Sequence, residues 1–351
     1  MKKKHLIIFV IILACSLFFQ NHAVAESQKS MVLQYELWLP TKMASFPVIQ
    51  EFYKGLEEAT GGAVKVRFHT GGSMGKAGET YQRTLSGVND IGHINPIFNS
   101  GVFPMWDIFD YPVRCPSGEQ LARLQIKMYE KGYFDKEFSQ VKVMALYNVG
   151  SFVLYSNKKI TKFDELKGIK IRISSMAGSE MAKAVDAVPV STGTGEIYLA
   201  MQKGIVDVVM TVWDGAVVFK LNEVSKYVNE INLMSTTHIV LMNKKTWEKL
   251  PQAGKDYIDA NWKTFSLKYA RAHEARIPRY KKMFLGTGDD REIIEFAPGE
   301  SEKMDKRFTP IWQKWIADRE EKGLPAKKAI DELYKMMIEE GIKDPIAGYN
   351  P

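Results

Sequence analysis

Cysteine and histidine are both scarce in this sequence of 351 residues. The two cysteines are Cys15, inside an apolar leader, and Cys115. Without the leader the chain therefore has a single cysteine, which excludes an intramolecular disulfide and a multi-cysteine metal site. The histidines beyond the leader form no pair spaced four residues apart, the spacing that places two imidazoles on one helix face. We therefore expect no metal, no cofactor and a fold stabilised by its packed core.

Blocks of like charge are also missing. Residues 1–25 contain three lysines and no acidic residue, so the remainder keeps 45 of the 48 Lys and Arg against 41 Asp and Glu. These charges are interspersed, and no basic cluster typical of nucleic-acid binding is present. We expect no nucleic-acid partner.

Runs of apolar residues without a charge are short except near the N-terminus, where one extends from Leu6 to Phe19, follows three lysines and precedes Ala23-Val24-Ala25. About 14 apolar residues are fewer than the ~20 that span a bilayer, and A-x-A is typical of a signal-peptidase site. We predict a signal peptide over residues 1–25, cleaved after Ala25, and export to the periplasm. An uncleaved anchor and lipidation of Cys15 remain alternatives.

Predicted strands and helices alternate in the first part of the chain. Strand patterns at 32–39, 63–69 and 90–94 are separated by helical patterns at 46–59 and about 78–86. This alternation is typical of an α/β domain with a largely parallel sheet.

An internal repeat indicates two related lobes. Residues 78–91 and 195–208 share five identities at a constant offset of 117 residues. Each copy predicts a helix that begins near a glutamate, ends at a glycine and leads into a short strand with an aspartate at its start. The matched pairs are Gly78 and Gly195, Glu79 and Glu196, Tyr81 and Tyr198, Gly87 and Gly204, and Asp90 and Asp207.

Two long apolar segments, 141–155 and 231–242, are predicted to be strands that cross between the lobes. A long helical stretch from Thr246 to about Leu285 contains only Pro251 and Pro278, and a last amphipathic helix covers 325–340. Two lobes joined by several crossings behave as a hinge, with a ligand cleft between them. The predicted division is residues 31–149 with 238–278 for lobe I, and residues 150–237 with 279–351 for lobe II.

One motif suggests an enzyme. Gly71-Gly72-Ser73-Met74-Gly75 satisfies G-x-S-x-G between a predicted strand and helix, the context of a nucleophile elbow. That strand is only the second beyond the leader, and a tight turn explains the glycines equally well. An exported serine hydrolase using Ser73 is therefore kept as an alternative.

The stretch GIKIRISS at 168–175 has the alternating pattern of a half-buried strand. Arg172 lies on the polar side of that pattern, together with Lys170. From the pattern alone, Arg172 is either a solvated surface residue or a residue that binds an anion.

Three segments resemble the periplasmic substrate-binding proteins of tripartite ATP-independent periplasmic (TRAP) transporters, the C4-dicarboxylate-binding DctP-type family. They are FDELKGIKIRISS at 163–175, VPVSTGTGEIYLAMQKGIVDVV at 188–209 and GGSMGKAGETYQRTLSGVNDIG at 71–92. Weaker similarity extends from Val32 to about Glu340. The resemblance implies an α/β, two-lobe periplasmic binding protein fold (type II-like) with crossing strands, a long connecting helix and an interdomain ligand cleft. It also implies a protein without catalytic activity that delivers an organic acid to membrane subunits, and we expect a monomer.

The resemblance further implies that Arg172 pairs with the carboxylate of the ligand. A guanidinium offers two parallel N–H donors, and such a charge-assisted bond contributes roughly 1.5–3 kcal/mol. Two departures from the family pattern bear on the ligand. Thr211 stands where an asparagine is common, and Phe152 lies near the position of a second arginine found in some dicarboxylate and acidic-sugar binders.

We therefore expect an apolar or aromatic monocarboxylate as ligand. A ligand sensor for a signalling receptor remains an alternative to a transport protein. The candidate ligand-binding residues are Arg172, Thr211, Trp213, Phe152, Glu79, Tyr81, Met176, Trp38, Phe98 and Ser174.

Overall fold

The computed structural model describes residues 30–43, 45–114 and 117–351. The predicted signal peptide, its cleavage after Ala25, and both cysteines lie outside the described residues. Within the described residues, no helix has the length and apolar character needed to cross a bilayer.

Helices and strands alternate as the sequence predicted. The strands are β1 (Met31–Leu37), β2 (Val64–Thr70), β3 (Ile91–Ile94), β4 (Val141–Ser156), β5 (Lys170–Ile173), β6 (Val188–Ser191), β7 (Val208–Val212), β8 (Tyr227–Asn243) and β9 (Glu292–Ile294). The helices are α1 (Phe46–Ala59), α2 (Thr80–Ser86), α3 (Gly118–Glu130), α4 (Asp135–Phe138), α5 (Met176–Ala184), α6 (Ile197–Gln202), α7 (Gly215–Val218), α8 (Leu221–Val224), α9 (Lys244–Lys249), α10 (Gln252–Glu274), α11 (Ile277–Leu285), α12 (Glu300–Glu320) and α13 (Ala326–Glu339).

The nine strands of the described residues form one mixed sheet in the order β2-β1-β3-β8-β4-β7-β5-β6, with β9 beside β8. β1 pairs in parallel with β2 and β3, and β5 pairs in parallel with β6 and β7. The antiparallel pair β4 and β8 lies at the centre and runs from Val141 opposite Asn243 to Ser156 opposite Tyr227. These two strands pass through both lobes, so the predicted crossing strands are confirmed.

The central pair is interrupted at Gly150. The register of β4 against β8 shifts between Asn148 and Ser151 and again between Ser151 and Val153. Gly150 has a φ of 102°, which side chains with a Cβ rarely adopt. A bulge of this kind bends a strand, and here it lies between the half of β4 that precedes Asn148 and the half from Phe152 to Ser156 that pairs with β7.

The internal repeat has the same structure in both lobes. α2 begins at Thr80 and α6 begins at Ile197, 117 residues later. Each follows a 3₁₀ turn, Ala77–Glu79 in one lobe and Thr194–Glu196 in the other. The prediction of two related lobes is therefore confirmed at the level of local structure.

The predicted helical stretch from Thr246 to Leu285 is divided near its prolines into α9, α10 and α11. Proline lacks an N–H and favours the first turn of a helix, and Pro278 lies in the first turn of α11. α10 is the long connecting helix, and it packs against β4, α1 and α3. Its buried face ends at His273.

The sequence analysis did not predict α12. Its side chains contact both parts of the molecule: Lys314 pairs with Glu180 of α5, whereas Arg319 pairs with Asp107 beyond β3. α13 in turn is linked to α3 by an ion pair between Glu332 and Lys131. The assignment of the whole segment 279–351 to lobe II stays a prediction.

Candidate functional site

A small cavity of about 60 Å³ lies between the lobes. Its walls come from the segments that follow β1, β3, β5 and β7, from the middle of β4 and β8, and from the end of α10. Six of the ten predicted ligand residues line it. They are Trp38, Phe98, Phe152, Arg172, Ser174 and Thr211.

Arg172 is buried on β5, with 4% of its surface exposed. Its Nη2 donates a hydrogen bond of 3.2 Å to the carbonyl oxygen of Thr192, whereas Nε has no partner. Within the described residues, no carboxylate forms an ion pair with this guanidinium. Burial lowers the pKa of Arg172 to about 10 because the charged form loses its hydration. The question left open by the strand pattern is thus decided: Arg172 faces the cavity, not the solvent.

Two residues with hydroxyl groups, Thr211 and Ser174, also line the cavity. Thr211 lies on β7, and Ser174 follows β5. Gly215, which begins α7, allows the chain to pass close to Thr211, because a Cβ at this position would lie 2.6 Å from Thr211 Cγ2. The close approach brings the loop between β7 and α7 against the cavity.

Aromatic rings form much of the remaining wall. Trp38 meets Phe98 edge to face at 5.6 Å between ring centroids and stacks on His238 at 6.1 Å. Phe152 of β4 is buried at the junction of the lobes, and Phe219 follows α7. Such surfaces favour a flat apolar body.

A polar network that the sequence analysis missed lies behind Trp38. Asn95 donates to Thr236 Oγ1 at 3.0 Å, and His238 Nδ1 lies 2.8 Å from His93 Nε2, which also contacts the hydroxyl of Tyr147 at 2.6 Å. Burial lowers the pKa of His93 to about 3 and that of His238 well below its usual value. Both imidazoles are therefore neutral at pH 7.

Asp214 and His273, a second pair that the sequence analysis missed, face each other across the cavity. His273 lies on α10 and Asp214 immediately before α7, and both line the cavity. Asp214 Oδ2 is 4.0 Å from His273 Nδ1. Burial raises the pKa of Asp214 to about 6 and lowers that of His273 to about 3. These residues are 59 positions apart in the chain, and no local pattern brings them together.

Four predicted ligand residues lie outside the cavity. Glu79 is exposed and pairs with Arg83, while Tyr81 is buried edge to face against Phe103. Met176 is largely exposed at the start of α5.

The fourth, Trp213, immediately follows β7 and does not line the cavity. Its Nε1 donates to Glu230 at 2.9 Å, and its ring packs near Tyr155 and Phe284. On a continued strand Trp213 would share the face of Thr211. Trp213 keeps that face, since it packs in the same apolar cluster as Val209 and Tyr155, but this cluster lies outside the cavity.

Ser73, the candidate hydrolase nucleophile, lies in an exposed turn after the edge strand β2. No histidine or carboxylate of the described residues forms a hydrogen bond with its hydroxyl. A nucleophilic serine needs an adjacent general base, and this turn offers none. Across residues 30–43, 45–114 and 117–351, no group of three or more His, Cys, Asp or Glu side chains could hold a metal ion.

Residues 39–318 match bacterial extracellular solute-binding protein, family 7, the DctP family. The chain belongs to this family. The resemblance to TRAP solute-binding proteins is therefore confirmed, and with it a periplasmic family whose characterised members bind organic acids.

Two relatives illustrate the range of the DctP family. The C4-dicarboxylate-binding periplasmic protein DctP of Rhodobacter capsulatus is 27% identical over 205 residues, which cover 57% of this chain and 61% of that protein. A monocarboxylate 2-oxoacid-binding periplasmic protein of Nostoc sp. PCC 7120 is 22% identical over 320 residues, which cover 84% and 85%.

Solved structures confirm the two-lobe fold. A TRAP solute-binding protein of Rhodoferax ferrireducens T118, in complex with copurified benzoate, has a TM-score of 0.82 at 20% identity and covers 89% of this chain and 99% of its own. A TRAP periplasmic solute-binding protein of Bordetella bronchiseptica with bound (R)- and (S)-mandelate has a TM-score of 0.77 at 21% identity and covers 86% and 97%.

Proposed function

We propose that this DctP-family protein captures a monocarboxylic acid with an apolar or aromatic body and delivers it to the membrane subunits of a TRAP transporter. The observation that carries the proposal is Arg172, a buried guanidinium with an unpartnered Nε and no acidic partner among the described residues, in a cavity with aromatic walls.

An unpaired buried cation is costly, because the guanidinium loses its hydration without gaining a counter-ion. The lowered pKa of Arg172 reflects this desolvation of its charged form. A carboxylate that enters the cavity removes the cost and can accept two parallel N–H bonds. Thr211 and Ser174 are the neighbouring hydroxyls that we assign to the same carboxylate.

The remaining charges of the cavity favour a single carboxylate. Arg172 is the one permanently positive side chain among the described residues that line the cavity. His238 and His273 are neutral at pH 7, since burial lowers the pKa of each. Asp214 would repel a second carboxylate. A C4-dicarboxylate would therefore leave one charge buried without a partner, which costs several kcal/mol by rough estimate.

The aromatic wall of Trp38, Phe98 and Phe152 supplies the apolar part of the site. The neighbours that hold benzoate and mandelate support an aromatic acid for this chain, and the 2-oxoacid-binding relative supports a monocarboxylate. Trp213, Glu79, Tyr81 and Met176 do not enter the proposed ligand contact, because they lie outside the cavity.

The proposal includes export with cleavage after Ala25, a monomeric state and the lack of catalytic activity. Ligand bridges lobes I and II and stabilises the closed state by its differential affinity. The closed form then binds the membrane subunits transiently. A receptor that senses the same acid would bind it equally well, and uptake assays with the transporter subunits distinguish the two roles.

The test is a calorimetric titration with benzoate, phenylacetate, mandelate and succinate. We expect at least one aromatic acid to bind more tightly than succinate, and Arg172→Lys to weaken that binding by roughly ten- to hundred-fold. Arg67→Lys is the matched control, since Arg67 is exposed on the edge strand β2. Tighter binding of succinate, or unchanged affinity in Arg172→Lys, contradicts the proposal.

A further inference from the structure

The facing pair Asp214 and His273 distinguishes this cavity from a plain apolar pocket with one anion site. Asp214 Oδ2 and His273 Nδ1 lie 4.0 Å apart, one from each lobe, and both line the cavity that contains Arg172. Resting on the proposed function, we infer that the ligand is a hydroxy-substituted monocarboxylic acid whose hydroxyl group bridges Asp214 and His273.

A backbone hydrogen bond of the preceding residue anchors the chain at Asp214, whereas the carboxylate of Asp214 does not cap α7. The carbonyl oxygen of Trp213, the preceding residue, accepts a hydrogen bond of 3.0 Å from the hydroxyl of Tyr155. Asp214 stands at the N-cap of α7, where an aspartate commonly accepts an N–H of the first turn. Its side chain makes no such capping bond. The carboxylate is therefore available on the cavity side.

The orientation of the His273 ring is set by contacts with Ser45 and Tyr269. Its Nε2 lies 2.9 Å from Ser45 Oγ, and its ring stacks parallel to Tyr269 at 5.8 Å. A serine hydroxyl can donate or accept, so Ser45 is compatible with the tautomer that carries the proton on Nδ1. That tautomer is favoured when Asp214 is ionised, because an N–H then faces the carboxylate.

The separation is too long for a direct bond and suits an intervening hydroxyl. N–H···O bonds are about 2.7–3.2 Å between heavy atoms, so at 4.0 Å the two groups do not bond to each other directly. An oxygen about 2.8 Å from each atom closes a triangle with an angle of about 90° at that oxygen. A hydroxyl meets both demands at once: it accepts from His273 Nδ1–H and donates to Asp214.

Other ligand groups meet only one demand. A keto oxygen accepts from His273 but offers the carboxylate of Asp214 no hydrogen. An ammonium group donates to Asp214 but opposes the N–H of His273. A methyl or aromatic C–H satisfies neither. The ligand class that fits the whole cavity is thus an aromatic or other apolar acid that carries one hydroxyl.

The experiment compares each hydroxylated acid with its parent by calorimetry on the full mature chain. The pairs are 3-hydroxybenzoate with benzoate, 4-hydroxybenzoate with benzoate, and mandelate with phenylacetate. We expect at least one hydroxylated acid to bind tenfold or more tightly than its parent. In Asp214→Ala and in His273→Phe, which keeps a ring of similar size, we expect this ratio to fall to near one.

Asp256→Asn serves as the control for removal of a carboxylate, because Asp256 lies on the exposed face of α10, and it should leave the ratio at the wild-type value. If parents and hydroxylated acids bind wild-type protein equally well, the proposed function stands and the hydroxyl inference is overturned. A preference that survives in both variants also overturns it. If no acid of the panel binds, the proposed function fails and the inference with it.

Discussion

Asp90 and Asp207, 117 residues apart, make the same pair of hydrogen bonds in the two lobes. Asp90 Oδ2 accepts the backbone N–H of Gln34 at 2.8 Å, and Asp207 Oδ2 accepts that of Lys170 at 2.9 Å. The backbone N–H of each aspartate returns a bond to the carbonyl oxygen of the same partner. Each aspartate therefore joins the start of one strand to its parallel neighbour, which accounts for its place in the repeat.

These aspartates should contribute similarly to stability. A carboxylate that accepts a backbone N–H is a charge-assisted acceptor, so Asp90→Ala and Asp207→Ala should each lower the free energy of unfolding by about 1–3 kcal/mol. Urea unfolding at pH 7.5 measures the change. Asp289→Ala, at an exposed position, is the control and should be nearly neutral. A destabilisation confined to one lobe would show that the repeat is not equivalent in energy.

Arg172 should lower the stability of the ligand-free protein. Its pKa is about 10 in the fold and higher in the unfolded chain, so folding at pH 7 is opposed by the buried charge. Arg172→Met should therefore raise the free energy of unfolding by about 1–2 kcal/mol, while the shift in Tm caused by benzoate or mandelate disappears. Differential scanning calorimetry with and without benzoate or mandelate measures both effects. A variant less stable than the wild type would argue that Arg172 supports the fold instead.

Asp214 should make stability depend on pH in a defined direction. Burial raises its pKa to about 6 in the fold, above its value in the unfolded chain. The contribution of Asp214 to the free energy of unfolding is therefore fully present below about pH 4, where the carboxyl is neutral, and is lost as the pH rises through 6. Asp214→Asn should be more stable than the wild type at pH 7.5 by about 1–3 kcal/mol, and this gain should shrink towards pH 4.

The groups that face Asp214 do not titrate over this range in a way that reverses the sign. Burial raises the pKa of Tyr147, Tyr155 and Tyr280, so these phenols stay neutral, and His273 has a pKa of about 3. Urea titrations at pH 7.5, 6.0 and 4.5 test the prediction. An equal difference between the two proteins at all three values would rule out titration of Asp214 as its cause.

Gly150 should be sensitive to any side chain. Its φ of 102° is unfavourable for residues with a Cβ, even though the nearest atom to a new Cβ would be 3.9 Å away. Gly150→Ala should therefore lower the free energy of unfolding by about 1 kcal/mol or more through backbone strain alone. Gly195→Ala is the matched control, because Gly195 has no positive φ and no atom near the new Cβ. Equal effects of the two substitutions would contradict a special role of Gly150 in the bend.

Local patterns predicted most of the secondary structure. The spacing of Ile49, Phe52, Tyr53 and Leu56 places one apolar face on α1, and the helix has the predicted bounds. α12 was missed although Met304, Phe308, Ile311 and Trp315 have helical spacing and are buried. Pro310 lies in the middle of this helix and is normally unfavourable there. The proline therefore contradicts the helical spacing of the apolar residues, and packing against α5 and α13 determines that the segment is helical.

The sequence by itself determined the alternating α/β lobes, the two crossing strands and the strand that carries Arg172, because these depend on residue spacing over a few turns or a few strand positions. Tertiary structure alone decided which way Arg172 faces, since a strand pattern does not say what covers its polar side. It also decided that Trp213 lies outside the cavity and that Asp214 faces His273. Those outcomes depend on how β7 ends and how two lobes close on one another, and no short segment of the chain contains that information.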